Sequence, residues 1–98
     1  MTVNLHFICK HGESFRKIGD QEFESGNWSC SDQTVQASIG GRFYLHEKQK
    51  SDAWHGGTIE AWRKSDEAGR KIFTCRVDGE FRIRCPGNWS QERAIVRK

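Results

Sequence analysis

The stretch Ile39 to Arg63, IGGRFYLHEKQKSDAWHGGTIEAWR, decides the fold class. From Arg42 to Lys48 apolar and polar residues alternate, with Phe43 and Leu45 on one face and Tyr44, His46 and Lys48 on the other, which is the period of a half-buried strand. After a polar loop and the Gly56-Gly57 pair the alternation resumes from Thr58 to Arg63, with Ile59 and Ala61 on one face and Thr58, Glu60 and Trp62 on the other. Two strands and their loop therefore gather Tyr44, His46, Trp54, His55 and Trp62 in one supersecondary unit.

Outward from this unit, Val3, Leu5, Phe7 and Cys9 alternate with Asn4, His6 and Ile8 and predict a half-buried first strand. Residues 13–28 carry only isolated anchors at Phe15, Ile18 and Phe23 and read as a loop with at most a short strand or turn. Ser29 or Ser31 can cap a short helix that runs to about Ser38 and stops at Gly40. Lys64 to Arg70 is a charged turn. Asp78-Gly79 predicts a hairpin. A three-residue bulged turn there aligns Cys75 with Phe81 and Phe73 with Ile83, whereas a two-residue turn would mix apolar and charged side chains on both faces. Ala94 to Arg97 supplies a last edge. These elements predict one domain over residues 1–98: mainly β, a small, partly closed, antiparallel-rich barrel with one short helix.

Size and composition agree with that architecture. A chain of 98 residues and 11.3 kDa builds one modest core, burying roughly 60 to 70% of its unfolded surface. Phe, Trp, Ile and Val dominate its apolar residues, Leu occurs only at 5 and 45, and ten glycines punctuate it, a usage that favours short strands. The net charge of +3 is mildly basic and permits nucleic-acid contact without demanding it. Arg76, Arg82 and Arg84 lie on neighbouring predicted strands and are the candidates for contact with a nucleic-acid backbone.

Cys9, Cys30, Cys75 and Cys85 form no CxxC pair, and no export signal or apolar span of membrane length stands out, so free thiols, a cytoplasmic setting and no membrane are expected. Cys9-x-His11 lacks a second close pair, and neither a metal nor another cofactor is expected. Catalysis is not expected either. His46 and Glu47 are adjacent strand residues and point to opposite faces, and neither a GxSxG elbow nor a phosphate-binding glycine loop occurs.

The run Ile39-Gly40-Gly41-Arg42-Phe43-Tyr44-Leu45-His46, followed by a loop and Gly56-Gly57-Thr58-Ile59-Glu60-Ala61-Trp62, resembles the heart of the PUA-like superfamily, particularly its EVE and ASCH branches. The likeness covers residues 26–63. It implies a β-barrel with a concave site for a nucleotide base, often a modified one. In that likeness Trp28 matches a pocket residue before the helix, Tyr44 and His46 lie on the strand after the glycines, and Trp54 and His55 fall in the loop over the pocket. Gly41 departs from the pattern, standing where such domains often carry an acid. Lys17, Thr34 and Glu60 supply the residue types of the amidohydrolases that some ASCH domains of this size resemble, without a local motif.

Stacking on an aromatic side chain is open to every base, and a histidine can read a base edge. The expected function is therefore a nucleic-acid or modified-nucleotide binding module whose pocket is lined by Trp28, Tyr44, His46, Trp54 and His55. The alternative is a small phage-type inhibitor that binds the protein complex of a defence system.

Overall fold

The computed structural model of the chain describes residues 3–9, 15–77, 82–85, 89 and 93–97. Strands β1 (Val3–Ile8), β2 (Phe15–Lys17) and β3 (Glu22–Ser29) precede a helix, α1 (Asp32–Ser38). Strands β4 (Arg42–His46), β5 (Ala53–Lys64), β6 (Arg70–Arg76) and β7 (Arg93–Arg97) follow it. All seven join one sheet in the order β2-β3-β6-β5-β4-β1-β7. Among the described residues only the β1–β4 pair is parallel. The domain is mainly β and mostly antiparallel with one short helix, as the alternation predicts.

The hydrogen-bonded ladder is not closed, since β2 and β7 are its edges, and curvature does the enclosing. Phe23 on β3 and Phe43 on β4 are three ladder steps apart, on the order of 14 Å on a flat sheet. Their ring centroids are 6.1 Å apart. Trp28 on β3 stacks at 4.4 Å on Phe7 of β1, across four steps of the ladder. The sheet thus curls around its inner face, where Leu5, Phe7, Phe23, Phe43, Leu45, Ile59, Phe73 and Cys75 are buried and α1 adds Val35. Gly57 is needed for the tight β5–β6 contact, because a Cβ there would come within 2.1 Å of the Arg76 carbonyl oxygen.

Several sequence expectations are corrected. Residues 13–28 are not mainly loop: Phe15–Lys17 and Glu22–Ser29 are strands. Their alternation is hidden by an inward Ser25 and a register shift between Ser25 and Trp28. Trp54 and His55 belong to β5, not to a loop. Within β5 a register shift between Ile59 and Ala61 turns Ala61 outward. Trp62 then packs against the core, reversing the faces expected for these two residues. β1 is buried on both faces rather than one, because its outer side chains are covered too, His6 by the rings of Tyr44 and Trp89.

The hairpin after β6 is not formed as predicted. Both edges of β6 are taken by β3 and β5. Residues 82–85 are not a strand, and Ile83 accepts a bond from Ala53 N at 2.9 Å instead. The Asp78-Gly79 turn itself lies outside the described residues.

The helix follows its sequence signals. Ser31 caps it, with Oγ accepting from Thr34 N at 3.2 Å, and Gly40 leaves it at φ +84°, a left-handed conformation that glycine adopts without steric cost. Ser31→Ala is expected to lower stability by about 1 kcal/mol and Ser31→Gly by only a few tenths, a difference that paired denaturant titrations measure. Equal losses would show that the cap bond does not stabilise α1.

Candidate functional site

The five aromatic and histidine residues expected to share one pocket are divided by the fold among three places. Trp28 is a core anchor, 8% exposed, with its Nε1 donating to Ser25 Oγ at 2.9 Å. Tyr44 and His46 lie on the outer face of β4, because strand alternation opposes them to the inward Phe43 and Leu45. Trp54 and His55 sit at the start of β5, beside a register shift between Leu45 and His46.

The outer face is a packed polar network. His46 Nδ1 faces the Ser51 carbonyl at 3.0 Å, and a carbonyl only accepts, so Nδ1 carries the proton. Nε2 of neutral His46 is then an acceptor, and His6 Nδ1 donates to it at 2.8 Å. His6 stacks on Tyr44 at 4.7 Å, and Trp89 meets the His46 ring edge-on at 5.2 Å. Arg42 donates to the Tyr44 hydroxyl at 3.2 Å and to Thr58 Oγ1 at 3.1 Å. His6, Tyr44 and His46 are 1%, 5% and 0% exposed. Rings and hydrogen bonds of the protein fill the space that a ligand would need.

An open site lies beside the start of β5, where His55 meets β2 and β3. Phe15, Phe23 and His55 form an aromatic cluster, with His55 at 4.6 Å from Phe15 and 4.5 Å from Phe23, edge to face. They line a half-open cleft of about 200 Å³ whose rim carries Lys17, Asp20 and Glu22. Trp54 stacks beside His55, 6.0 Å between centroids, and its Nε1 donates to the Cys9 carbonyl at 3.1 Å. Trp54 also lines, with Asp52, Ala53 and Arg82, a second hollow of about 300 Å³.

Burial pushes the His55 imidazole below its ordinary pKa, so the ring is neutral at pH 7 and offers one donor and one acceptor. The Glu22 carboxyl is raised, chiefly by its hydrogen bond to Glu60 and by the repulsion of that second charge, against the pull of Arg76.

The three arginines proposed for backbone contact have different neighbours, Arg76 lying by Glu60 and both Arg82 and Arg84 by Asp52. Arg76 pairs with Glu60 at 3.2 Å. Arg84 approaches Asp52 at 4.0 Å, and Arg82 lines the hollow beside Trp54. Arg16 and Arg63 both pair with Glu24, at 3.7 and 3.5 Å. Such exposed pairs contribute about 0 to 1 kcal/mol each, but they hold these guanidinium groups against the sheet.

All four cysteines are free thiols, and burial raises the Cys75 thiol far above its ordinary range, which leaves it protonated and unreactive. Among the described residues no three His, Cys, Asp or Glu side chains converge on a point, and no helix is long and apolar enough to cross a membrane.

Asp20 and Glu22 do not figure in the sequence reading, and Phe15, Phe23 and Lys17 enter it only as isolated anchors and as an amidohydrolase residue type, not as residues of the pocket. Their signal was the Gly19-Asp20 pair between Phe15-Arg16-Lys17 and Glu22-Phe23-Glu24, a turn dipeptide between two short segments that each bring one phenylalanine. No family model matches the sequence, and no curated protein or solved structure matches it.

Proposed function

We propose that the domain is a nucleic-acid or modified-nucleotide binding module that takes a base in the cleft between β2, β3 and β5. The observation that carries this reading is the half-open cleft itself, with Phe15, Phe23 and His55 against one another below and a charged rim above. A small cavity whose lining combines the rings of Phe15, Phe23 and His55 with the charged Lys17, Asp20 and Glu22 suits a planar heterocycle. The Trp54–Arg82 hollow lies across the same aromatic cluster and offers a stacking face with a cation beside it for the phosphate of a neighbouring nucleotide. The resemblance to PUA-like domains supports the same ligand class, with the pocket displaced from Tyr44 and His46 to Phe15 and His55.

The test is a titration of wild type, Phe15→Ala and Arg82→Ala with plain and modified oligonucleotides at two salt concentrations. Loss of one stacking face in Phe15→Ala is expected to weaken binding by about 1–3 kcal/mol. Arg82→Ala is expected to weaken it evenly across sequences and to flatten the salt dependence. A wild type that binds none of the panel, yet associates tightly with a protein of a defence complex, would remove this proposal in favour of the inhibitor reading.

A further inference from the structure

The rim of the cleft carries a pattern of charge that goes one step beyond ring binding. Lys17 ends β2, and Asp20 lies in the turn of residues 18–21 that leads into β3. That turn is pinned from both sides: Ile18 N donates to the Glu22 carbonyl at 3.0 Å and Val77 N to the Gln21 carbonyl at 2.7 Å. The neighbouring charges are engaged, Arg16 and Arg63 with Glu24, Arg76 with Glu60, and Glu22 with Glu60. Lys17 and Asp20 differ from them. Among the described residues neither side chain makes a hydrogen bond or an ion pair, and both line the cleft.

A carboxylate presents two acceptor oxygens side by side, and an ammonium presents donors only. The bases differ in what they can return. Guanine sets a ring N–H and an exocyclic amino group next to each other, with a carbonyl adjoining them. Adenine has the amino group but no carbonyl, cytosine has one amino group beside acceptors, and uracil has a single N–H between two carbonyls. Only the guanine edge supplies both oxygens of one carboxylate and an acceptor for the ammonium.

Building on the reading of the cleft as a ring-binding site, we infer that it selects a guanine-type ring, with Asp20 accepting from the ring N–H and the 2-amino group and Lys17 donating to the 6-oxo group. The rim also disfavours ligands led by a free anion, because Asp20 and Glu22 outnumber Lys17 and the buried His55 imidazole is neutral at pH 7.

The experiment measures binding of GMP, IMP, AMP and UMP to the full chain and to Asp20→Asn by calorimetry, with thermal melting of both proteins alongside. IMP keeps the 6-oxo group and the ring N–H and lacks only the 2-amino group. GMP is expected to bind at least about tenfold more tightly than IMP or AMP, since a site built around a hydrogen bond discriminates strongly against the analogue that lacks it. Asp20→Asn is expected to bring GMP down to the level of IMP, to leave IMP within about twofold, and to melt where the wild type does, as befits an exposed turn residue. Equal binding of GMP, IMP and AMP, or a GMP preference that survives in Asp20→Asn, would overturn the guanine assignment while leaving the ring site in place. No binding of any of the four would remove the ring site and the assignment together.

Discussion

Phe7→Ala is expected to lower the unfolding free energy by about 3–5 kcal/mol. Phe7 is 2% exposed and contacts Trp28, Phe43 and Phe73 with ring centroids at 4.4, 5.4 and 6.0 Å. It is therefore the contact through which β1, β3, β4 and β6 share one core. Truncation to Ala removes the transfer free energy of the ring and leaves a cavity walled by three other rings that cannot collapse without uncurling the sheet. Small domains unfold at about 5–15 kcal/mol, so the loss is a large fraction of the whole. At about 4–8 °C per kcal/mol the melting temperature falls by roughly 12 to 40 °C. Ile18→Ala, at a side chain 41% exposed, is the control and should change stability by no more than about 0.5 kcal/mol. A Phe7→Ala protein within 1 kcal/mol of wild type would mean that the curled sheet is not held by this core.

Acidification is the second strong lever. Burial lowers the pKa of His46 and of His55 below the ordinary value of 6.5, the Ser51 carbonyl and Asp52 opposing the effect at His46. The folded state therefore binds fewer protons than the unfolded state in the window just below pH 6.5. The stability these groups confer is complete above that pH and is lost as pH falls through 6.5 toward the folded values. In that window each histidine costs up to about 1.4 kcal/mol per pH unit. Geometry gives the same sign at His46, since a proton on Nε2 would set one N–H against the His6 Nδ1–H that now donates to it. Glu22 acts in the opposite direction and lower on the scale: its raised pKa stabilises the fold below the ordinary carboxylate value of 4.5, a contribution lost as pH rises through the folded pKa. Denaturant titrations from pH 8 to pH 5 should show stability level above pH 7 and falling below 6.5. His55→Phe should reduce the slope by removing one of the two groups. Stability unchanged between pH 7 and pH 5 would contradict the burial of both imidazoles.

What could be read in the sequence was local. β1 and β4 follow plain alternation, β7 is a short apolar run at the expected last edge, and α1 is announced by Ser31 and Gly40, because each signal lies within a few residues of the element it specifies. β3 was hidden, since its inward positions include Ser25 as well as Phe23 and its register shifts before Trp28. The hairpin expected at Asp78 failed for a different reason. Alternation places Phe73 and Cys75 on an inner face but does not say which strand lies beside them, and the partner is β3, about fifty residues earlier. The site was half legible on the same logic. Trp54 and His55, expected to share one pocket with Tyr44 and His46, each line a hollow of their own, and Tyr44 and His46 are separated from them by the alternation of β4 against a shifted β5. Phe15 and Phe23 reach His55 only through the curl of the sheet, which no window of sequence reports.

The position of β1 bears on how the molecule comes to be made. Leu5 pairs with Phe43 on one side and with Ile95 on the other, so β1 has partners that are synthesised about forty and ninety residues after it. A nascent chain that has reached His46 can dock β1 on β4, yet the outer edge of Val3–Ile8 stays bare until Arg93–Arg97 has been synthesised. Closing such distant pairs is slow. For that interval the most apolar strand of the protein presents unpaired backbone groups, so two half-made chains on one message would meet at Val3–Ile8 before anywhere else.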